Sequence, residues 1–298
     1  MKHRSDLVLE ELRKGQSEYG GILSEVSYGG QVVTDLNCAV SSLVAIECAC
    51  DQLVFSESLK RTLSRILDFV EECMDEANSG WFRFYPSKNL TPKISHQIFD
   101  CRIPDLDDTC LAYLALIKHN RLSVSEVAVF FQKVVPQLEV SRLSNDDGYW
   151  VRLGALRTWL VSSANLPHNP VDVCVNVNAA AAMALCGLRG SALFRTVCES
   201  VESATYCFLH QGVKFAEIAP YYSHPIELVY AIQRAVLYGA ERLQWVLDEL
   251  LESDWSTIDE GKRFSASRSL SCSSDRKIHW HAPTLQIIRK MLKHDHME

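Results

Sequence analysis

Five stretches of the chain open alike, with a polar residue that gives way within a few positions to an apolar or small run. They are Asp35-Leu36-Asn37-Cys38-Ala39, Asp107-Asp108-Thr109-Cys110-Leu111, Asp172-Val173-Cys174-Val175-Asn176, His224-Pro225-Ile226-Glu227-Leu228 and His281-Ala282-Pro283-Thr284-Leu285. Most are followed by a second, more amphipathic helical pattern. A helix that is apolar all round must be buried, whereas an amphipathic one covers a core with one face. Alternating the two predicts an all-α chain, a single α/α toroid over residues 1–298 with about five to six helix pairs. In a closed toroid the inner helices run parallel and their starts share one mouth. That arrangement would gather Asp35, Asp105, Asp107, Asp108, Asp172, His224 and His281, which are far apart in sequence.

Helical spacing extends over residues 6–18, 35–53, 58–77, 123–135, 172–188, 191–210, 241–253 and 283–294, and a short helix is predicted over 154–164. Gly20-Gly21 and Gly29-Gly30 bracket a loop, and Trp81 to Pro86 reads as a short extended piece. Residues 261–277 are rich in Ser and Arg, lack periodicity and are expected to be a mobile loop. Lys262, Arg263, Arg268, Arg276 and Lys277 make it locally basic, so it either closes over a diphosphate or is simply solvated.

The apolar fraction of 47% over 298 residues supports a substantial core. A net charge of −7 argues against a nucleic-acid binder, which would carry a basic face. No apolar run reaches membrane-spanning length, and the N-terminus leads into an amphipathic helix rather than a signal core. The eleven cysteines lie largely within apolar helical patterns with no paired CxxC. Reduced, buried thiols in a cytoplasmic protein are therefore expected.

The densest polar cluster is Ile103-Pro104-Asp105-Leu106-Asp107-Asp108-Thr109-Cys110. Acids in a first helical turn suit the helix dipole, so a helix cap accounts for them without any chemistry. Three acids this close cannot all ionise cheaply where water is excluded, so a Brønsted acid is the other reading. Asp105-Leu106-Asp107-Asp108-Thr109 resembles the Asp-x-Asp-Asp-Thr motif of class II terpene cyclases, the squalene–hopene cyclase group. Trp280-His281-Ala282-Pro283-Thr284-Leu285 resembles the closing repeat of the wider toroid superfamily, which includes the β subunits of protein prenyltransferases. The Gln-x-x-x-Gly-x-Trp repeats of the squalene group are absent from the sequence.

The resemblance implies protonation-initiated cyclisation of an isoprenoid or prenylated small molecule, with Asp107 as proton donor and Asp105 and Asp108 in support. It implies no cofactor, or Mg2+ if the substrate is a diphosphate. Enzymes of the group usually carry a second toroid, so a partner subunit is a candidate for closing the cavity of a lone one. A carbocation is stabilised by aromatic faces. Candidate lining residues are Trp81, Phe84, Tyr149, Trp150, Trp159, Tyr222 and Trp280, each of which is equally at home in an ordinary core. His281, with His279, could hold the proton network of the aspartates. Asn176 and Asn178 lie in an otherwise apolar helix, where they either bridge neighbouring helices or meet substrate.

Two rival readings remain. Asp172, Cys174 and His281 resemble the zinc set of the prenyltransferase β subunits, which implies a zinc-dependent prenyltransferase-like enzyme. Alternatively, the chain is a non-catalytic toroid that binds a lipid-like ligand or a partner protein, with its aspartates serving only as caps.

Overall fold

The computed structural model describes residues 2–50, 53–77, 80–86, 103–160, 169–253 and 268–292. Its helices are α1 (Lys2–Gly15), α2 (Cys38–Cys48), α3 (Glu57–Glu72), α4 (Leu106–Lys118), α5 (Val124–Lys133), α6 (Val173–Leu185), α7 (Ala192–His210), α8 (Phe215–Ile218), α9 (Pro225–Leu237), α10 (Gln244–Glu252) and α11 (Pro283–Leu292). Its strands are β1 (Leu23–Tyr28), β2 (Gln31–Leu36), β3 (Phe82–Arg83), β4 (Pro104–Asp105), β5 (Ser269–Cys272) and β6 (Ile278–His281).

The all-α expectation fails on those strands. β2, β1, β6 and β5 form a four-stranded antiparallel sheet in that order, and β3 pairs with β4. The class is mixed α/β. The physical reason lies at Gly29 and Gly30, which take φ of 55° and 80°. Two consecutive residues at positive φ suit a tight hairpin, because that turn matches the twist of the strands it joins. The pair therefore folds β1 onto β2 in a register that sets Tyr28 opposite Gln31 and Val26 opposite Val33. Residues expected to open the apolar helix at Asp35 instead finish β2, and α2 starts at Cys38 behind its cap Asn37. His281 likewise ends β6 rather than opening a helix.

The expected mobile loop is also corrected. Ser269–Cys272 is a strand, and Ser273 closes a turn by accepting from Arg276 N while donating to Ile278 O. Residues 261–267 lie outside the described ones. The helix expected at 154–164 is extended at 154–160, where Arg157 bridges Val171 and Trp159 bridges Asp105; 161–164 lie outside the described residues.

Three helices are apolar nearly all round and correspondingly buried. Among their residues, Cys38 to Ile46 of α2, Asp108 to Ile117 of α4 and Val173 to Ala184 of α6 are enclosed. Neighbours follow in sequence: α2 packs on α4, α4 on α6, α6 on α9, and α11 returns to α2. A buried ion pair between Arg289 of α11 and Glu227 of α9, 2.8 Å, links the remaining two. Amphipathic helices cover this group, with α3 on α2, α7 on α6 and α10 on α9. No described helix is long and apolar enough to cross a membrane.

Candidate functional site

The starts of α2, α4 and α6 and the residues leading into α9 meet at one pocket. Each start is fixed by a side chain that accepts from the first turn of backbone amides. Asn37 accepts from Val40 N, Asp105 from Asp108 N, Asp172 from Cys174 N and Val175 N, and His224 from Ile226 N. The cap reading therefore holds for Asp105 and Asp172. Asp107 and Asp108 are not the capping acceptor but lie in the first turn of α4, where acids suit the helix dipole.

The strand-like segments aim the first turn of α4. Leu106 N donates to Thr158 O at 2.8 Å and Leu160 N to Pro104 O at 3.0 Å. Thr109 accepts from Phe82 N and donates to Asp105 O, which ties α4 to β3. Tyr221 and Tyr222 are held from two sides. Tyr221 N donates to Asp172 Oδ2 at 3.0 Å, while Cys272 N and Arg276 Nη2 donate to the carbonyls of Tyr221 and Tyr222.

The pocket has about 80 Å3 of water-accessible volume within about 720 Å3 of empty space that includes its mouth. Its wall combines Asp105, Asp107 and Asp108 with Phe84, Trp159, Tyr221, Tyr222, Trp280, Ala39, Leu43, Val175 and Leu270. Two edge-to-face pairs stand in it: Phe84 against Trp280 at 5.2 Å and Trp159 against Tyr221 at 5.4 Å. The latter pair is locked by Trp159 Nε1 donating to Tyr221 Oη at 2.7 Å. No Lys or Arg is among the described residues that line it.

Asp107 is half-buried and faces this space. Its Oδ2 accepts from Tyr222 Oη at 2.6 Å and its Oδ1 from Asn178 Nδ2 at 2.7 Å. Burial pushes its carboxyl above the ordinary range, against the pull of Tyr222, Asn178 and the nearby Arg234 cation. Asp105 and Asp108 are fully enclosed and hydrogen-bonded to each other. Burial raises Asp105 to about 7, against the hydrogen bond from Asp108 and with the Asp107 charge adding to the rise; burial also holds Asp108 well above its usual value, and there the Asp105 charge adds to it. Asp108 Oδ1 has no partner among the described residues. Burial also raises Asp172 to about 7, with the Asp107 charge adding to it.

Of the aromatic residues expected in the lining, Phe84, Trp159, Tyr222 and Trp280 are there. Trp81 is not; it packs edge-on against Phe130 at 4.9 Å in the core behind. Trp150 is also core, and Tyr149 is 65% exposed beside a different, open groove. His281 is turned from the pocket by the strand alternation that points Trp280 into it, and its Nε2 meets Ser27 Oγ at 3.1 Å. Asn176 does not meet the pocket; it bridges to Leu156 N, Leu156 O and Asp172 O.

The aspartate network runs instead through Tyr222, Asn178 and Arg234. An asparagine within a run of alanines and valines was the only sequence signal for it. Arg234 has a helical, partly polar context that resembles any surface arginine. The zinc set is not assembled: Asp172 is occupied by three backbone amides, and no group of three His, Cys, Asp or Glu among the described residues could hold a metal ion. Burial pushes the Cys174 thiol well above its usual value, which opposes a thiolate ligand. Neither a protein-family model nor a curated protein matches this chain.

Proposed function

We propose that the protein is an acid-initiated cyclase of the class II terpene cyclase type, acting on an isoprenoid or prenylated small molecule. The observation that carries this reading is Asp107 itself. It is a carboxyl raised by burial, on the wall of an apolar, aromatic pocket, and it caps no helix.

An alkene is a very weak base, so its acid must stay protonated in a site that excludes water until the alkene is in place, and be well supported once it has ionised. The proton moves from Asp107 to the alkene as follows. The alkene π pair forms a new C–H bond, the Asp107 O–H bond breaks, and its electrons remain as the carboxylate. Tyr222 Oη and Asn178 Nδ2 donate to the two oxygens on which that charge develops. The tertiary cation is then taken up by the next double bond of the same chain, loss of a proton to water at the pocket mouth ends the sequence, and the Asp107 carboxylate regains a proton from solvent. Phe84, Trp159, Tyr221, Tyr222 and Trp280 present ring electrons to the cation. The apolar and aromatic part of the described lining suits the uncharged hydrocarbon end of the substrate.

The test is incubation with farnesyl or geranylgeranyl diphosphate, or with a prenylated aromatic, and product analysis by gas chromatography and mass spectrometry. Cyclised product is expected from the wild type and none from Asp107→Asn with its fold intact. No cyclised product from any of the three, or equal product from Asp107→Asn, rejects the acid role.

A further inference from the structure

Arg234 of α9 is 7% exposed, and no carboxylate among the described residues lies within ion-pair distance of it. The buried Arg289 differs, pairing with Glu47 and Glu227, and so does the partly buried Arg268, which pairs with Glu227. The Arg234 Nε also lacks a partner among the described residues. A buried cation so poorly compensated is costly, and an apolar side chain of similar size would cost less. What Arg234 does reach is Asn178 of α6, where its Nη2 donates to Oδ1 at 2.6 Å.

That one contact fixes a direction. A guanidinium only donates, so the asparagine must turn its oxygen to Arg234 and its NH2 toward the site. The NH2 then donates to Asp107 Oδ1 at 2.7 Å and to Tyr222 Oη at 3.3 Å. Tyr222, having accepted there, donates its own hydrogen to Asp107 Oδ2 at 2.6 Å. Every side-chain hydrogen bond that Asp107 makes among the described residues is therefore one it accepts. Were the amide reversed, its oxygen would face Asp107 and take the carboxyl hydrogen for itself.

We propose that Arg234 is the positioning residue that aims the Asp107 proton, by orienting Asn178 so that the neighbours of Asp107 are donors and its O–H is left to point into the pocket. The inference rests on the proposed role of Asp107 but concerns an orientation that exists whether or not a substrate turns over. The charged and titratable groups that face Asp107 are Asp108 and Cys110 on its own helix with its cap Asp105, Cys174 of α6 with its cap Asp172, Tyr222, and Arg234. Of these, Arg234 is the cation.

The experiment follows the Asp107 carboxyl directly, by infrared or carbon-13 titration of the full chain labelled at aspartate, with Asp107→Asn assigning the signal. Arg234→Met is expected to raise the Asp107 midpoint, and Arg234→Lys, also a pure donor, to keep it near the wild type. In an Asn178→Leu background the effect of Arg234→Met is expected to shrink, because the relay is already broken. An unchanged midpoint in Arg234→Met overturns the proposal. So does a shift that persists in full without Asn178, since Arg234 would then act by charge alone. Arg234→Leu, which likewise has no donor, serves the same comparison if the methionine variant does not fold. With a turned-over isoprenoid, Arg234→Met lowers kcat about tenfold or more at unchanged KM, and lysine restores most of it. A wild type that makes no cyclised product sinks the cyclase reading and leaves the titration to decide on Arg234.

Discussion

Three neighbouring aspartates have three different situations. Asp105 spends an oxygen on the Asp108 amide, Asp108 is sealed beside it, and Asp107 alone is flanked by donors at the pocket wall. Substituting them should separate these roles. Asp108→Asn replaces a carboxyl that burial and the Asp105 charge hold well above its usual value, so the fold is expected to survive with smaller loss of activity than Asp107→Asn, measured on the same isoprenoid. Tyr222→Phe removes one of the two donors to the Asp107 anion. A fall in kcat on the order of 10²-fold is expected, as for other donors to a developing oxyanion, together with a further rise in the Asp107 midpoint. Activity that depends on protonated Asp107 is expected to fall as pH rises through that raised midpoint, and a pH–rate profile reads this limb. The aspartates were legible in the sequence because they are contiguous. Asn178 stood out as an amide in an apolar helix, but its partner 71 positions away did not, and Arg234, 56 positions from Asn178, looks like any helix residue. The aromatic residues could not be sorted by type: Trp81 and Trp280 are equally buried, and only the element carrying each decides which space it faces.

At the level of elements, the apolar helices were readable because nothing but full burial accommodates a run such as Ala179 to Ala184. The strands were missed for a local reason and a distant one. Locally, Gly29-Gly30 demands positive φ twice, which is a hairpin signal and not merely a loop. Distantly, Ser269–Cys272 is polar and aperiodic, and becomes a strand only because Ile278–His281 lies alongside. The closing contact between α9 and α11 rests on Glu227, which accepts from Arg268 at 2.6 Å and Arg289 at 2.8 Å and is held at about 2 by those charges despite its burial. Arg289 is 1% exposed and also stacks on the Tyr230 ring at 4.1 Å. Glu227→Leu would leave both cations short of their shared anion. A loss of about 3–5 kcal/mol is expected in urea unfolding, the range for breaking a buried pair from one side. Asn37→Ala removes the α2 cap and is expected to cost about 1 kcal/mol in the same measurement.

Over the whole molecule, buried acids set the pH response. Asp35 is raised by burial to about 6, and Asp105 and Asp172 to about 7. In each case the folded chain holds the proton more tightly than the unfolded chain does. Their stabilising contribution is complete below the ordinary carboxylate pKa and is lost as pH rises through the folded values. Unfolding free energy measured in urea is therefore expected to decline from about pH 4 to about pH 7, the reverse of a protein stabilised by ionised carboxylates. Glu227 acts in the opposite sense, and its contribution disappears only on acidification toward about pH 2. The sheet order carries a different consequence, for synthesis on the ribosome. Val26 of β1 pairs with Trp280 of β6, and Trp280 is also part of the pocket wall. The β1–β2 hairpin must wait, with one edge unpaired, until β6 at Ile278–His281 has been translated, an interval in which such an edge invites pairing with other chains. A truncated chain that lost β6 would not be a slightly shorter version of this protein. It would lack one wall of its pocket and would expose a strand edge that the intact chain covers.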